Sequence, residues 1–362
     1  MEEEKYIELF PGHWLYNAGV IGFIQSLSMI NEEKNKTEGL LFVDPHGLVR
    51  INLLLFQRLL VNERYFVKEP IQSIYENSTY YKNYLKTVEK EIFPEYVKSL
   101  TGIVNGNDQC FICGNKYKIK DGDKAKLIKQ GFGRYFTAND SFNLSYYSSL
   151  GPSQRQFPNA YWGNNYTSHV CPICSFILIH SQLSQIKLID GSKVFINTPS
   201  FYLTVELNKF LKEVFDKDNT NYKNLLVMSI IEFSIKTKVL LNVWASMEIE
   251  LIVTKKDGLI EFIYLPYEII SIISNRKIAE ILSSIGEFNV LNMIINGNWN
   301  EIVELGYRVL KISLKPSIGK EDKDFIFKTF FRYENHEIGN LKILANKLLK
   351  LYALIEDRKK II

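Results

Sequence analysis

The four cysteines of this chain are its clearest chemical feature. They form two pairs, Cys110-Phe-Ile-Cys113 and Cys171-Pro-Ile-Cys174, and none is left over. Two thiolates three residues apart can grip one metal ion, and two such pairs complete the closed tetrahedral ligand set that structural zinc prefers. The spacing therefore predicts one structural zinc ion bound by Cys110, Cys113, Cys171 and Cys174. Four thiolate ligands would leave no open position for a catalytic water.

The residues around the two pairs fit this interpretation and leave alternatives to it. Gly114 directly follows the first pair and offers the backbone freedom that a tight metal knuckle needs. Disulfides are rare in a reducing cytoplasm, and a redox centre needs only one Cys-x-x-Cys pair. His169 could replace one of the thiolate ligands. Residues 114–170 separate the pairs, which is more than the roughly 15–20 residues of a zinc ribbon, so the metal would close the base of a long insertion.

The insertion has the side chains of a nucleic-acid contact. Lysines crowd its start and can neutralise phosphates, although a solvated hairpin explains them equally well. Residues 131–169 then combine asparagine, arginine and aromatic side chains, which can hydrogen bond to base edges and stack on bases. The alternative is that the aromatic residues form a small core of the insertion and the asparagines make turns. The predicted nucleic-acid-binding residues are Lys116, Lys118, Lys124, Lys126, Arg134, Asn139, Asn143, Arg155, Trp162 and Asn164.

Motifs of catalysis are missing from the sequence. The five histidines are scattered, and there is no phosphate-binding loop, no nucleophile elbow and no His-Glu-x-x-His motif. These absences favour a binding subunit over an enzyme. The net charge of only +4 permits a nucleic-acid partner without requiring one. We expect a soluble, cytoplasmic protein without a membrane partner, because the start of the chain does not resemble a signal peptide and no apolar run approaches 20 residues.

Apolar spacing and turn residues predict an α+β fold, in which a mixed α/β body carries an inserted four-cysteine zinc module and a helical C-terminal part. Hairpins are predicted at residues 40–51 and 185–196, and a strand pair across residues 239–265. The C-terminal helices are expected in roughly four segments, broken near residues 284–286, 296–298 and 316–319. The predicted regions are an N-terminal α/β region at 1–109, the zinc module with its polar-aromatic insertion at 110–175, a β-rich continuation of the body at 176–267, and a helical C-terminal region at 268–362.

One helix near the N-terminus has a further feature. Its apolar spacing predicts a buried face from about Tyr16 onwards, with Asn17 placed where an N-cap would be useful. Gly19 and Gly22 lie on this helix three residues apart. Two small residues on one face predict the close approach of another backbone, either from within the fold or from a partner subunit.

The opening segment Gly12-His13-Trp14-Leu15-Tyr16-Asn17-Ala18-Gly19-Val20-Ile21-Gly22-Phe23 resembles the N-terminal signature of a known family. This family comprises the large subunits of type I CRISPR effector complexes (Cascade), in the branch with two Cys-x-x-Cys pairs. The resemblance covers residues 6–30 and 105–178. It implies a non-catalytic subunit that binds the 5′ end of the guide RNA and the flanking motif of double-stranded target DNA in antiviral defence.

The same resemblance implies the remaining partners. Such subunits assemble with other Cascade subunits, help to open the target duplex and offer a docking surface to a helicase–nuclease, while guide pairing carries most of the sequence specificity. Two alternatives stay open from the residues alone. One is a zinc-dependent nucleic-acid-processing enzyme, such as a nuclease, whose acidic residues converge only in three dimensions. The other is a zinc-containing protein adaptor.

Overall fold

Helices and small antiparallel sheets build the chain in the computed structural model. The predicted α+β class is confirmed, because the structure combines these sheets with a four-cysteine cluster and a helical C-terminal part. The structure describes residues 6–30, 41–43, 48–52, 103–119, 125, 128–129, 170–178, 180–215, 222–236, 249–257, 259–330 and 338–361.

The N-terminal sheet has three strands in the order β1 (Tyr6–Leu9), β3 (Val49–Asn52) and β2 (Leu41–Val43). Both outer strands pair antiparallel with β3, so the predicted hairpin at residues 40–51 is confirmed, although residues 44–47 of its turn lie outside the described residues. Leu9 and Val49 are register partners, and both are fully buried. One face of this sheet is therefore core.

Helix α1 (Trp14–Ile30) begins two residues before the predicted start. Asn17 therefore lies inside the first turn, and the prediction that it caps the helix is wrong. His13 takes that role, because its Nδ1 accepts a hydrogen bond from the backbone N–H of Leu15 at 3.3 Å. Every residue from 14 to 23 is buried, which indicates a helix surrounded by protein on all sides over these turns.

The cysteine module begins with two antiparallel strands, β4 (Ile103–Gln109) and β5 (Lys116–Ile119). The first cysteine pair lies in the turn between them. The second pair opens the short helix α2 (Pro172–Leu178), where Pro172 occupies the first helical position that suits its fixed φ.

A four-stranded sheet follows in the order β6 (Ile186–Lys187), β7 (Lys193–Asn197), β8 (Glu250–Thr254) and β9 (Ile260–Tyr264). The antiparallel pairing of β6 with β7 confirms the predicted hairpin at residues 185–196. Strands β8 and β9 are neighbours, as predicted, while residues 237–248 of the expected first strand lie outside the described residues.

The chain divides into two compact units. The first comprises Met1–Val205 with Ile252–Glu261, and the second comprises Glu206–Leu251 with Phe262–Ile362. Apart from α3 (Phe201–Phe215), which spans the division, the remaining described helices belong to the second unit. They are α4 (Tyr222–Lys236), α5 (Tyr267–Ile273), α6 (Arg276–Ile285), α7 (Phe288–Ile295), α8 (Trp299–Ser313), α9 (Lys320–Thr329) and α10 (Ile338–Lys359).

The helix breaks of the second unit are set by local capping. Gly286 ends α6 with a left-handed φ of 66°, and α7 and α8 end near the other two predicted breaks. The structure also separates α5 from α6, which the prediction of roughly four segments did not anticipate. Asn275 causes this break, because its side chain accepts hydrogen bonds from the backbone N–H groups of Lys277 and Ile278. Among the described helices, none has both the length and the apolar content to cross a membrane.

Candidate metal centre

The first cysteine pair is held in a tight backbone turn. The N–H of Cys110 donates to the carbonyl of Asn115 at 3.0 Å, and the N–H of Gly114 donates to the carbonyl of Cys110 at 2.9 Å. Gly114 has a φ of 71°, a left-handed conformation that side chains other than glycine rarely adopt. The predicted need for glycine after the first pair is therefore confirmed.

The second pair is fixed by the start of α2. Cys171 precedes the helix and Cys174 lies in its first turn. The backbone N–H of Cys171 donates to Sγ of Cys110 at 3.2 Å, and the N–H of Cys174 donates to Sγ of Cys171 at 3.4 Å. Backbone donors of this kind stabilise the thiolate form, which is the form that binds metal.

The structure brings all four predicted ligands together. Their sulfur atoms lie within 4.8 Å of one another, and Sγ of Cys113 is 3.9 Å from Sγ of Cys171. Four sulfurs at about 2.3 Å from a tetrahedral zinc ion would lie about 3.8 Å apart. All four cysteines are free thiols, so the arrangement is that of a metal centre and not of a disulfide pair.

Burial makes this cluster costly without a cation. Cys110, Cys171 and Cys174 are buried, and Cys113 is half-buried. Burial raises the pKa of Cys174, whereas hydrogen bonds among the thiols, first that with Cys113, lower the pKa of Cys110. The thiols therefore compete for the negative charge that all four would carry as metal ligands. A divalent cation would remove this conflict by placing positive charge between them.

Helix α1 packs directly on the segment that carries the second cysteine pair. A Cβ atom added to Gly19 would lie 2.7 Å from the carbonyl oxygen of Ile177, and one added to Gly22 would clash with the carbonyl oxygen of His180. Glycine is therefore needed at both positions. The predicted close approach of another backbone is confirmed, and that backbone belongs to the same chain.

An aromatic cluster completes this contact. The ring of Phe23 meets the rings of Phe176 and His180 edge-on, with centroid distances of 5.8 and 5.3 Å. His180 is fully buried, burial lowers its pKa to about 4, and its Nδ1 lies 2.9 Å from the carbonyl oxygen of Phe176. His180 is thus a neutral core residue.

Asn17 connects the start of α1 to the end of β7. Its amide donates to the carbonyl of Gly12 at 3.0 Å and to Oδ1 of Asn197 at 2.8 Å, while its own Oδ1 accepts from the N–H of Gly12 at 2.8 Å. These bonds satisfy a buried amide inside the helix and fix the entry of the chain into α1. The short spacing to Gly12 hints at this contact in the sequence, but the distant partner Asn197 leaves no local signal.

Sequence reasoning also missed Tyr16. Its side chain is 2% exposed, and its hydroxyl has no hydrogen-bond partner among the described residues. The thiolate charges of all four cysteines contribute to raising its pKa, after burial itself, so the phenol lies close to the metal centre. In the sequence, the sign of this role is the position of Tyr16 one turn before Gly19.

The predicted nucleic-acid-binding residues lie mostly outside the described residues. Lys116 is exposed at the start of β5, opposite Gln109 in β4, and Lys118 follows two positions later in the same strand. The structure therefore places the first of these lysines beside the first cysteine pair. The residues outside the described ranges are Lys124, Lys126, Arg134, Asn139, Asn143, Arg155, Trp162 and Asn164, together with the possible alternative ligand His169.

Comparisons with family models, with curated proteins and with solved structures gave no match to this chain.

Proposed function

We propose that this chain is a zinc-stabilised, non-catalytic large subunit of a type I CRISPR surveillance complex. The observation that carries the proposal is the four-cysteine centre, whose sulfur atoms lie within 4.8 Å of one another. An all-thiolate set suits zinc, which accepts tetrahedral sulfur coordination readily. Because four thiolates saturate the ion, the metal has a structural role.

The centre would anchor the insertion that begins and ends at it. Residues 114–170 leave the first cysteine pair through β5 and return directly into the second pair. Joining both ends through one ion removes much of the entropy cost of closing so long a loop. The lysine, asparagine, arginine and aromatic residues of the insertion then form the proposed contact with guide RNA and target DNA.

The family proposal draws support from how its two sequence features meet. The opening motif lies on α1 and the second cysteine pair opens α2, and Gly19 and Gly22 of the motif pack on the backbone of α2 and the turn after it. A substitution in either feature would disturb the other. This gives a physical reason for both to occur in one protein, as they do in the family that the sequence resembles.

In this role the subunit binds the 5′ end of the guide RNA and inspects the flanking motif of double-stranded target DNA. It assembles with other Cascade subunits in the cytoplasm and helps to recruit a helicase–nuclease in antiviral defence. Guide pairing supplies most of the target sequence specificity, and the subunit reads only the short flanking motif.

Co-purification tests the proposed assembly. The full chain is co-expressed with the proteins encoded beside it, purified through a tag on the chain, and analysed for bound RNA and for metal. We expect stoichiometric zinc, repeat-containing guide RNA and partner subunits. Metal-dependent cleavage of nucleic acid by the isolated chain would instead identify a nuclease. Zinc without RNA, partner subunits or cleavage would identify an adaptor.

Lysine substitutions test the proposed nucleic-acid contact. Replacing Lys124 and Lys126 with glutamine should weaken binding to every DNA target and reduce its salt dependence, because phosphate contacts carry no sequence information. The matched control replaces the exposed Lys320 and Lys323 of α9 with glutamine. Equal loss of binding in both double variants would contradict a contact specific to the insertion.

A further inference from the structure

The contacts of α1 and α2 define a register between the two segments. Gly19 meets the carbonyl of Ile177, and three residues later Gly22 meets the carbonyl of His180. The two segments therefore advance in the same direction. The same pairing, taken one turn earlier, places Tyr16 beside Cys174.

The environment of the Tyr16 hydroxyl agrees with this register. The side chain is 2% exposed, and the hydroxyl has no hydrogen-bond partner among the described residues. Burying an unsatisfied hydroxyl costs about 1–3 kcal/mol. Of the charged groups that raise the pKa of Tyr16 in addition to burial, the thiolate of Cys174 has the largest effect. The hydroxyl thus faces the cysteine centre and lacks an acceptor there.

We propose that Tyr16 donates a hydrogen bond to Sγ of Cys174 when the centre holds its metal ion, and so acts as a positioning residue for that ligand. This inference rests on the proposed metal binding. A thiol is a weak acceptor, whereas a metal-bound thiolate carries negative charge and accepts strongly. Metal binding would therefore supply the partner that the buried hydroxyl lacks.

This arrangement couples α1 to the metal. Donors in the outer shell of a metal site orient the ligands and tune the ion. Since Tyr16 lies one turn before Gly19 on α1, the hydrogen bond would also stabilise the docking of that helix. The opening motif would then supply two kinds of contact to the centre: close backbone packing at Gly19 and Gly22, and hydrogen bonding at Tyr16.

The Tyr16→Phe substitution tests the inference in the full chain, because it removes only the hydroxyl. Cobalt(II) replaces zinc as a spectroscopic probe, and zinc affinity is measured by competition with a chelator. We expect the sulfur-to-cobalt charge-transfer band to move to lower energy, since the thiolate loses a donor. Zinc affinity should fall about 10-fold or more. Tyr202→Phe, at a half-buried tyrosine of α3, is the matched control and should change neither measurement.

Unfolding of the metal-free protein provides a second measurement. The hydroxyl has no partner without metal, so Tyr16→Phe should not destabilise the metal-free form. Equal destabilisation with and without metal, or a complete failure to fold, would show a purely structural role and overturn the inference. An unchanged cobalt band and unchanged zinc affinity would do the same while leaving the metal proposal intact. If the unsubstituted protein bound neither cobalt nor zinc, both proposals would fail.

Discussion

Helices α1 and α2 of the first unit meet through backbone atoms, whereas α8 and α10 of the second unit meet through side chains. In the first unit, Cβ atoms at Gly19 and Gly22 would strike carbonyl oxygens. In the second, a Cβ at Gly306 would lie 3.0 Å from Cδ2 of Leu349, the flexible end of a leucine. Backbone cannot yield to an added methyl group, but a leucine rotamer can. The two units should therefore differ sharply in their tolerance of similar substitutions.

Metal removal should have the largest effect and should be confined to the first unit. Binding of structural zinc contributes about 10–16 kcal/mol in small peptides, which matches the whole stability of an ordinary domain. We expect Cys113→Ser, or chelation of the unsubstituted protein, to release the metal and unfold the first unit. Hydrogen exchange measured by mass spectrometry should show lost protection in α1 and α2.

The control for this experiment is the second unit of the same molecule. Protection of α8 and α10 should stay close to that of the untreated protein. Uniform loss of protection across both units would contradict the idea that the cysteine centre stabilises the first unit specifically.

Gly22→Ala should have the next largest effect. The added methyl group would clash with the carbonyl oxygen of His180, so the two segments must separate, at a cost of about 3 kcal/mol or more. Urea denaturation followed by circular dichroism measures the loss. Gly12→Ala is the matched control, because its Cβ would lie 3.8 Å from Cδ1 of Tyr16, an ordinary contact distance. Equal stability of the two variants would refute the close backbone contact.

Removing one helix cap should have a moderate effect within the second unit. Asn275→Ala deletes the side chain that accepts hydrogen bonds from Lys277 N–H at 3.1 Å and Ile278 N–H at 3.3 Å. We expect a loss of about 1 kcal/mol, typical of N-cap removal. Asn275→Ser should recover most of the stability, since serine also caps. If alanine and serine behave alike, the capping bonds do not stabilise the break between α5 and α6.

Gly306→Ala should have the smallest effect. Its added methyl group meets the side chains of Leu349 and Leu348, which can shift by a few tenths of an ångström. Alanine also favours the helix over glycine by about 1 kcal/mol, which offsets the cost of that shift. We expect a change in the free energy of unfolding within about 1 kcal/mol of zero. A loss as large as that of Gly22→Ala would remove the contrast between the two units.

Local patterns in the sequence predicted much of this molecule. The cysteine spacing identified the four residues that the structure brings together, and turn residues identified the hairpins at β2–β3 and β6–β7. These features depend on residues near one another in the chain, or on a residue type with few alternative uses. The separation of α5 from α6 was missed because an asparagine cap is a weak signal beside glycine and proline.

What the sequence determined by itself was the ligand set, the element types and the need for glycine at positions 19, 22 and 114. Only the tertiary structure decided that Gly22 faces the backbone at His180, that Asn17 bonds to Asn197, and that the Tyr16 hydroxyl faces the cysteine centre. The physical reason lies in the range of the interactions. Spacing along a chain fixes which face a residue occupies, whereas the group opposite that face comes from a distant segment and is selected by packing.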